Sequence, residues 1–201
     1  MKLLYTTRSP YAAKVRIVAL ERDIALEFIE IADLSKKTPE LLASNPLGKI
    51  PALILDDGNH LFDSPVICQY LDTLGEREKL IPHKGPLRYQ TLKIEALSDG
   101  ICDAAVAIMM ENNMRPEDKR SDAMISYHTA AIKRSLSYLD TNSNWRETEW
   151  NLGQISVAAT LGYLNFRMRH LDWESEFSAL ASWYENTLKA HQTVKQTLPT
   201  V

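Results

Sequence analysis

The sequence predicts two consecutive domains: an α/β domain with the element order βαβαββα, and then an all-α helical bundle. Apolar runs typical of short strands occur only in the first third of the chain, and apolar residues farther on recur at helical spacing. A segment rich in charge, Pro and Gly separates the two patterns. We therefore predict a first domain at 1–76, a linker at 77–86 and a second domain at 87–201.

The first domain begins with strands at 2–5 and 26–31, separated by a helix whose apolar positions include Val15 and Val18. A strand, a helix and a strand in this order predict a parallel pair. A short helix is expected at 39–42, and the run 52–55 predicts the third strand.

A loop that could bind a peptide backbone precedes the third strand, at 45–51 (Asn-Pro-Leu-Gly-Lys-Ile-Pro). Pro51 cannot donate to a sheet ladder, so it belongs at the start of the strand. An Ile–Pro bond can be cis at a cost of about 0.5–1 kcal/mol. A cis bond would leave the amide and carbonyl of Ile50 facing outward and free to pair with another peptide.

A helix that could bind an anion follows the fourth strand. Asp56-Asp57-Gly58-Asn59 predicts a hairpin turn and Leu61-Phe62 the return strand. Ser64 then precedes Pro65, which suits the first position of a helix that runs to Gly75. The free amides and the Ser64 hydroxyl form an anion site, and Asp63 beside them can accept from an ammonium. The zwitterionic end of an amino acid would satisfy both.

The second domain is predicted to hold four main helices. One apolar face extends from Leu87 to Ile108, and a second from Ile125 to Leu139. Asn151 and Gln154 have capping-box spacing at the start of a third helix, and 177–188 is a final amphipathic helix.

Composition excludes several classes of function. The net charge is −3 and no basic face is evident, so we do not expect nucleic-acid binding. No apolar run approaches the ~18 residues of a membrane helix, and the N-terminus lacks a leader pattern, so we expect a cytoplasmic protein. Cys68 and Cys102 lack redox or ligand spacing and are expected to be buried, inert thiols. The five histidines show no metal spacing, and no metal site is predicted.

Taken together, these motifs resemble the glutathione S-transferase superfamily, whose first domain is thioredoxin-like and whose second is helical. The resemblance extends over the whole chain and rests on Arg8-Ser9-Pro10, the Asn-Pro-x-Gly-Lys-x-Pro segment, the Asp63-Ser64 pair and the helical second half. The runs 95–100 and 162–167 are most similar to a bacterial subgroup. The resemblance implies glutathione as co-substrate, a small electrophilic substrate and a homodimer.

A site that activates glutathione must stabilise its thiolate, because a thiol with a pKa near 8.5 is only slightly ionised at neutral pH. Ser9 is the candidate hydroxyl donor, since Pro10 places it at the positive end of the first helix. The family's serine-type members use this loop. Alternatively, Ser9 only caps its helix and does not contact the thiol. Tyr5 is the second candidate, because its position matches the tyrosine that activates the thiol in the family's tyrosine-type members. Alternatively, Tyr5 is a packed strand residue. Thr6 and Thr7 are lesser candidates for activating the thiol.

The resemblance also implies the residues that bind glutathione. Ile50, followed by Pro51, would pair with its cysteinyl backbone, Ser64 and Asp63 would hold the γ-glutamyl end, and Lys49 or Lys37 would meet the glycyl carboxylate. Lys49 could instead be a solvated loop residue. Asp103 resembles an acid that some relatives extend from the partner subunit to the γ-glutamyl amine, which implies a twofold dimer. Asp99 is an equally good interface or cleft candidate.

The electrophile pocket is expected between the domains, on the first long helix, at Met109, Met110, Asn113 and Arg115. Flexible methionines suit variable apolar ligands, although methionines at helical spacing also occur in cores. Arg115 would favour an anionic substrate. The leading function is thiolate attack on an electrophilic carbon, as in detoxification. A glutathione-dependent disulfide or peroxide reductase, or a glutathione-binding protein without catalysis, are the alternatives.

Overall fold

A computed structural model describes residues 1–75 and 77–199 of the chain. The first half has the predicted order: β1 (Lys2–Tyr5), α1 (Pro10–Glu21), β2 (Glu27–Glu30), α2 (Pro39–Ser44), β3 (Ala52–Ile54), β4 (His60–Leu61) and α3 (Ser64–Thr73). This is the βαβαββα arrangement of a thioredoxin-like domain.

The four strands form one mixed sheet with the spatial order β2-β1-β3-β4. β1 and β2 are parallel, as the crossover through α1 requires, while β3 is antiparallel to both of its neighbours. Leu3 and Leu53 face the core formed with α1 and α3, and Leu4 and Ala52 face the opposite side, where Leu41 of α2 covers them.

The second half is helical. It contains α4 (Pro86–Met114), α5 (Asp122–Thr141), α6 (Leu152–Arg167), α7 (Trp173–Glu176), α8 (Ser178–Ala190) and α9 (Gln192–Thr197), with short 3₁₀ turns between them. α6 is the central element, because every residue from Leu152 to Leu164 is buried. The final helix expected at 177–188 corresponds to α8, and the very short α7 and α9 were not predicted.

The two halves share a core. Ile155 and Ala158 of α6 and Val194 of α9 join the cluster that contains Val15 and Val18 of α1. A second cluster, which includes Ile101, Leu136 and Leu161, is confined to α4, α5, α6 and their neighbours. The surface of α1 that faces away from the sheet is therefore covered by the second half of the chain.

A buried arginine holds the connection between the halves. The Arg22 guanidinium donates to the carbonyls of Leu74 and Glu78, and Asp72 accepts from the amides of Leu80 and Ile81. The predicted boundary residue Glu76 lies outside the described residues. α4 begins at Pro86, at the end of the predicted linker, and the division into two domains stays a prediction.

Two predicted helix starts differ in detail from the structure. Asp63, not Ser64, occupies the N-cap position of α3, so Ser64 is the first helical residue and Pro65 the second. At α6, Asn151 caps the helix by accepting from the amides of Gly153 and Gln154. The Gln154 side chain does not complete a capping box, because its amide donates to the carbonyls of Trp145 and Thr148.

Candidate functional site

One end of the sheet brings the predicted site segments together. Leu4 pairs with Ala52, and Leu53 pairs with Leu61, both in antiparallel register. The residues that follow β1, precede β3 and follow β4 therefore lie at the same end of the sheet. The loop 6–9, Ile50 and Ser64 meet there, so segments far apart in sequence form one surface.

Ser9 caps α1 and still has a hydrogen to donate. Its Oγ accepts from the Ala12 amide at 3.2 Å, and its own amide is bonded to the Thr6 carbonyl. An oxygen that accepts one bond can donate its proton to another group. The Ser9 amide is used within the loop, so the hydroxyl is the group of Ser9 that is available to a ligand. Ser9 is half-buried.

Tyr5 packs as a strand residue. Its ring lies edge-on to Phe28, with centroids 5.5 Å apart, and the Arg16 guanidinium lies 5.1 Å from its centroid. These contacts correspond to the packed alternative. Thr6 is buried, and the exposed Thr7 donates weakly to Glu30 at 3.4 Å.

The Ile50–Pro51 peptide bond is cis. The Ile50 side chain is buried with Leu41 beneath the sheet, and neither its amide nor its carbonyl has a partner within 1–75 and 77–199. Asn45 organises the approach to Ile50, since its side chain donates to the Lys49 carbonyl and accepts from the Leu47 amide.

The two candidate lysines differ. The Lys37 ammonium donates to the Gly48 carbonyl at 2.7 Å, so it supports the loop. Lys49 is exposed, and its ammonium makes no ion pair with the described part of the chain. Of the two, Lys49 has the charge available for a carboxylate.

The start of α3 holds an unpartnered hydroxyl on an otherwise buried residue. Ser64 is 2 % exposed, and its Oγ has no hydrogen bond to any described residue. The first intrahelical bond belongs to the Ile67 amide, which leaves the amides of Ser64 and Val66 free. The Asp63 side chain makes no cap bond and is exposed. Donors for an anion and an acceptor for a cation are therefore adjacent.

A buried ion cluster lies beneath this surface. The Lys14 ammonium contacts Glu95 at 3.0 Å and both oxygens of Asp99 at 2.7 and 2.8 Å. Burial lowers the pKa of Lys14, but the two carboxylates raise it above its ordinary value. Burial raises the pKa of Glu95 and of Asp99, and Lys14 counteracts part of that rise.

Asp103 is bonded within its own chain. The Tyr11 hydroxyl donates to Asp103 Oδ1, which joins α1 to α4. Burial and this hydrogen bond raise the pKa of Tyr11. Asp103 remains exposed, and no described lysine or arginine pairs with it.

The predicted electrophile pocket is an open surface. Met109 is half-buried, Met110 is 47 % exposed and Asn113 is exposed. Arg115 pairs with Glu111 at 3.0 Å at the end of α4, so its charge is already balanced. A cavity of about 390 Å³ lies elsewhere, between α4 and the end of α5, and is lined by Tyr89, Lys93, Tyr138, Trp145 and others.

Other chemistry is limited in the described ranges. Cys68 and Cys102 are buried, and burial raises the pKa of both thiols, that of Cys102 to about 12. No group of three His, Cys, Asp or Glu within 1–75 and 77–199 has the arrangement of a metal site. Among the same residues, no helix has the length and hydrophobicity needed to cross a membrane.

Sequence reasoning assigned no separate role to the side chains of Tyr11, Lys14, Asn45 and Glu95. Lys14 and Glu95 carried a signal, because each is a charged residue beside apolar neighbours on a helix expected to be buried, and their charges are opposite. Asn45 entered the prediction only as part of the loop motif at 45–51, and Tyr11 carried no signal, since a helical Tyr is ordinary.

Comparison with known proteins agrees with this geometry. Residues 8–74 match the family model described as the glutathione S-transferase N-terminal domain. An uncharacterised GST-like protein of Escherichia coli, YibF, is 33 % identical over 190 residues, which is 92 % of this chain and 93 % of that protein.

Solved structures are similar over the full length. A glutathione S-transferase from Methylobacillus flagellatus with glutathione bound is 39 % identical, with a TM-score of 0.92 and 99 % of each chain covered. A glutathione transferase family member from Pseudomonas fluorescens, solved with S-(propanoic acid)-glutathione, is 34 % identical, with a TM-score of 0.87 and both chains fully covered. The chain belongs to the glutathione S-transferase superfamily.

Proposed function

We propose that this protein is a glutathione transferase, which binds glutathione, lowers the pKa of its thiol and directs the thiolate to the electrophilic carbon of a small molecule. The observation that carries the proposal is the Ser64 hydroxyl at the start of α3: the residue is 2 % exposed, but its Oγ is not enclosed and has no partner among the described residues. Such a hydroxyl can donate to an anionic ligand beside the free amides of the helix.

Each part of glutathione finds a complementary group. The γ-glutamyl carboxylate accepts from Ser64 and the free amides of α3, and its ammonium meets Asp63. The cysteinyl backbone pairs with the free amide and carbonyl of Ile50, beside Pro51. The glycyl carboxylate approaches the unpaired Lys49, while Lys37 supports the loop. The glutathione bound in the Methylobacillus relative supports this assignment. Glutathione is the co-substrate, and no metal is involved.

Ser9 is proposed as the group that activates the thiol. Lowering the thiol pKa by about two units requires roughly 2.7 kcal/mol. A hydroxyl bond to the charged sulfur contributes roughly 1.5–3 kcal/mol, and the amides of a helix N-terminus about 0.3–1 kcal/mol. The Ser9 hydrogen is available because its oxygen acts as the acceptor in the cap.

The electrophile is proposed to enter between α1 and α4, over Met109, Met110 and Asn113. Arg115 pairs with Glu111, so an anionic substrate at Arg115 would compete with that carboxylate. We further propose a cytoplasmic homodimer, in which Asp103 of each chain faces the glutathione held by the other.

Calorimetric titration of Ser64→Ala with glutathione tests the proposed binding site. We expect affinity to fall by about tenfold or more, since a bond to a charged group contributes about 1.5–3 kcal/mol. Ser156→Ala is a matched control, because Ser156 is also buried but bonds the carbonyl of Leu152 in its own helix. Equal affinities for wild type and Ser64→Ala would contradict the proposed role of Ser64.

Activity separates the transferase from its alternatives. We expect turnover of an activated haloarene that exceeds turnover of an organic hydroperoxide or a mixed disulfide. The two cysteines are buried and burial raises the pKa of both thiols, so a reductase would have to work through the thiolate of glutathione itself. Glutathione binding without turnover of any of these substrates would identify a binding protein instead.

A further inference from the structure

Tyr11 lies where the two halves of the chain meet, beside the proposed thiol site. It is in the first turn of α1, two residues after the cap Ser9, and its hydroxyl crosses to Asp103 on α4. Burial and the bond to Asp103 raise the pKa of Tyr11, so its hydroxyl stays protonated and continues to donate. This hydroxyl is already committed to a carboxylate and is not free for a sulfur.

The structure also separates the two acids on this face of α4. Both oxygens of Asp99 contact the buried Lys14 ammonium, so the charge of Asp99 is balanced inside the protein. Asp103, one turn later, is exposed and forms no ion pair with a described residue. Of the two, Asp103 has a negative charge available for a cation from outside the chain.

A single hydrogen bond can orient such a carboxylate. An exposed Asp samples several side-chain rotamers, and a charge-assisted bond from a fixed phenol selects one of them. Tyr11 is half-buried, so its ring is a stable support. With Oδ1 held by Tyr11, the second oxygen keeps its capacity to accept from an ammonium.

We propose that Tyr11 is a positioning residue, which holds the Asp103 carboxylate in the orientation that binds the γ-glutamyl ammonium of glutathione. The inference rests on the proposed function, because it needs glutathione at this site. It adds a specific division of labour: Ser9 serves the sulfur of the glutathione in its own chain, and Tyr11 acts through Asp103 on the γ-glutamyl end of the glutathione held by the partner chain.

The test compares glutathione with an analogue that lacks only the γ-glutamyl ammonium, glutaryl-cysteinyl-glycine. Wild type is expected to bind glutathione about tenfold or more tightly than the analogue, as a charged hydrogen bond implies. Asp103→Asn still accepts from Tyr11 but lacks the charge, so we expect it to lose the share of this preference that Asp103 supplies, while Asp63 retains the rest. Tyr11→Phe is expected to lose about three- to tenfold in glutathione affinity and little in affinity for the analogue.

Further comparisons make the outcome decisive. The double variant Tyr11→Phe with Asp103→Asn should lose no more than Asp103→Asn alone, because Tyr11 acts through Asp103. Tyr127→Phe is the matched control, since Tyr127 is 66 % exposed on α5. If Tyr11→Phe lowers the affinity for both ligands equally, the role of Tyr11 is merely structural and the inference is overturned. A Tyr11→Phe variant that raises the pKa of the bound thiol would also overturn it.

Failure of the inference differs from failure of the proposed function. If wild type binds glutathione and the analogue equally well, the ammonium is not recognised and the inference is overturned, while glutathione binding stands. If wild type binds neither ligand, the proposed function is overturned together with the inference.

Discussion

Single residues at this site perform two tasks at once. The Ser9 oxygen caps α1 through the Ala12 amide, and its hydrogen is the one that we propose for the sulfur of glutathione. The sequence left a choice between helix cap and thiol donor. The structure makes the two roles compatible, because a hydroxyl can accept and donate at the same time.

Ser9→Ala should therefore change both thiol ionisation and stability. Loss of the donor is expected to raise the pKa of bound glutathione by about one to two units, because the bond contributes about 1.5–3 kcal/mol. Loss of the cap should destabilise the fold by about 0.5–2 kcal/mol. Ultraviolet absorbance of the thiolate against pH measures the first effect. Ser9→Thr, which keeps the hydroxyl, is the control, and a pKa that rises in Tyr5→Phe instead would refute the assignment.

Removal of the Lys14 ammonium should destabilise the fold strongly. Lys14→Met leaves Glu95 and Asp99 buried without a cation, and we expect a loss of about 3–5 kcal/mol near neutral pH. Lys133→Met is the control, because Lys133 and its partner Glu176 are about half exposed and such a pair contributes at most about 1 kcal/mol.

The loss should depend on pH in a definite direction. The pKa values of Glu95 and Asp99 are already raised in the folded protein, and removing Lys14 raises them further. A raised carboxyl pKa gives stability that is complete below the unfolded value, about 4, and is lost as pH rises through the folded value. The deficit of Lys14→Met should therefore shrink as pH falls toward 4 in urea unfolding. A deficit independent of pH would contradict this account.

At the scale of elements, the loop 45–51 shows how the backbone of a binding segment is fixed. Gly48 has a φ of 58°, and a Cβ added there would lie 3.0 Å from Lys37 Cδ. The same lysine donates to the Gly48 carbonyl, two residues before Ile50. The position of Ile50 therefore depends on Gly48 and Lys37 together.

Gly48→Ala tests this dependence, with Gly58→Ala as the matched control. Gly58 also has a positive φ, 85°, but nothing lies within 4 Å of an added Cβ. Both variants should lose about 1–2 kcal/mol of stability from left-handed strain. Only Gly48→Ala should also weaken glutathione binding, because it displaces Lys37 and the loop. Equal glutathione affinity in the two variants, measured by calorimetry, would show that the loop 45–51 does not determine glutathione binding.

Strong local sequence signals predicted the helices and strands, whereas tertiary contacts determined the exact helix caps and the side-chain partners. Pro10, Pro39 and Pro65 marked helix starts because their missing amides cost nothing there. The cap of α3 shifted by one residue to Asp63, since proline suits either of the first two helical positions. Spacing alone did not single out the partner of Arg115, because Glu111 was one of several acids nearby.

At the scale of the whole molecule, the thioredoxin-like and helical halves are parts of one packed structure. α1 contributes to a shared core with α6 and α9, and its polar residues Tyr11 and Lys14 reach α4. The sequence predicted the order of the two halves but not these contacts. The periodicity of apolar residues along a helix shows which of its faces is apolar, but not which other element covers that face. The same contacts fix the loop that holds Ser9 relative to α4.

The proposed binding mode requires glutathione to lie across the end of the sheet that the loop 6–9, Ile50 and Ser64 share. A crystal structure of the protein with glutathione tests this directly. We expect the sulfur within hydrogen-bond distance of Ser9 Oγ, the cysteinyl backbone paired with Ile50, and the γ-glutamyl carboxylate on Ser64. A sulfur bonded to Tyr5, or a ligand that leaves Ile50 and Ser64 without partners, would contradict it.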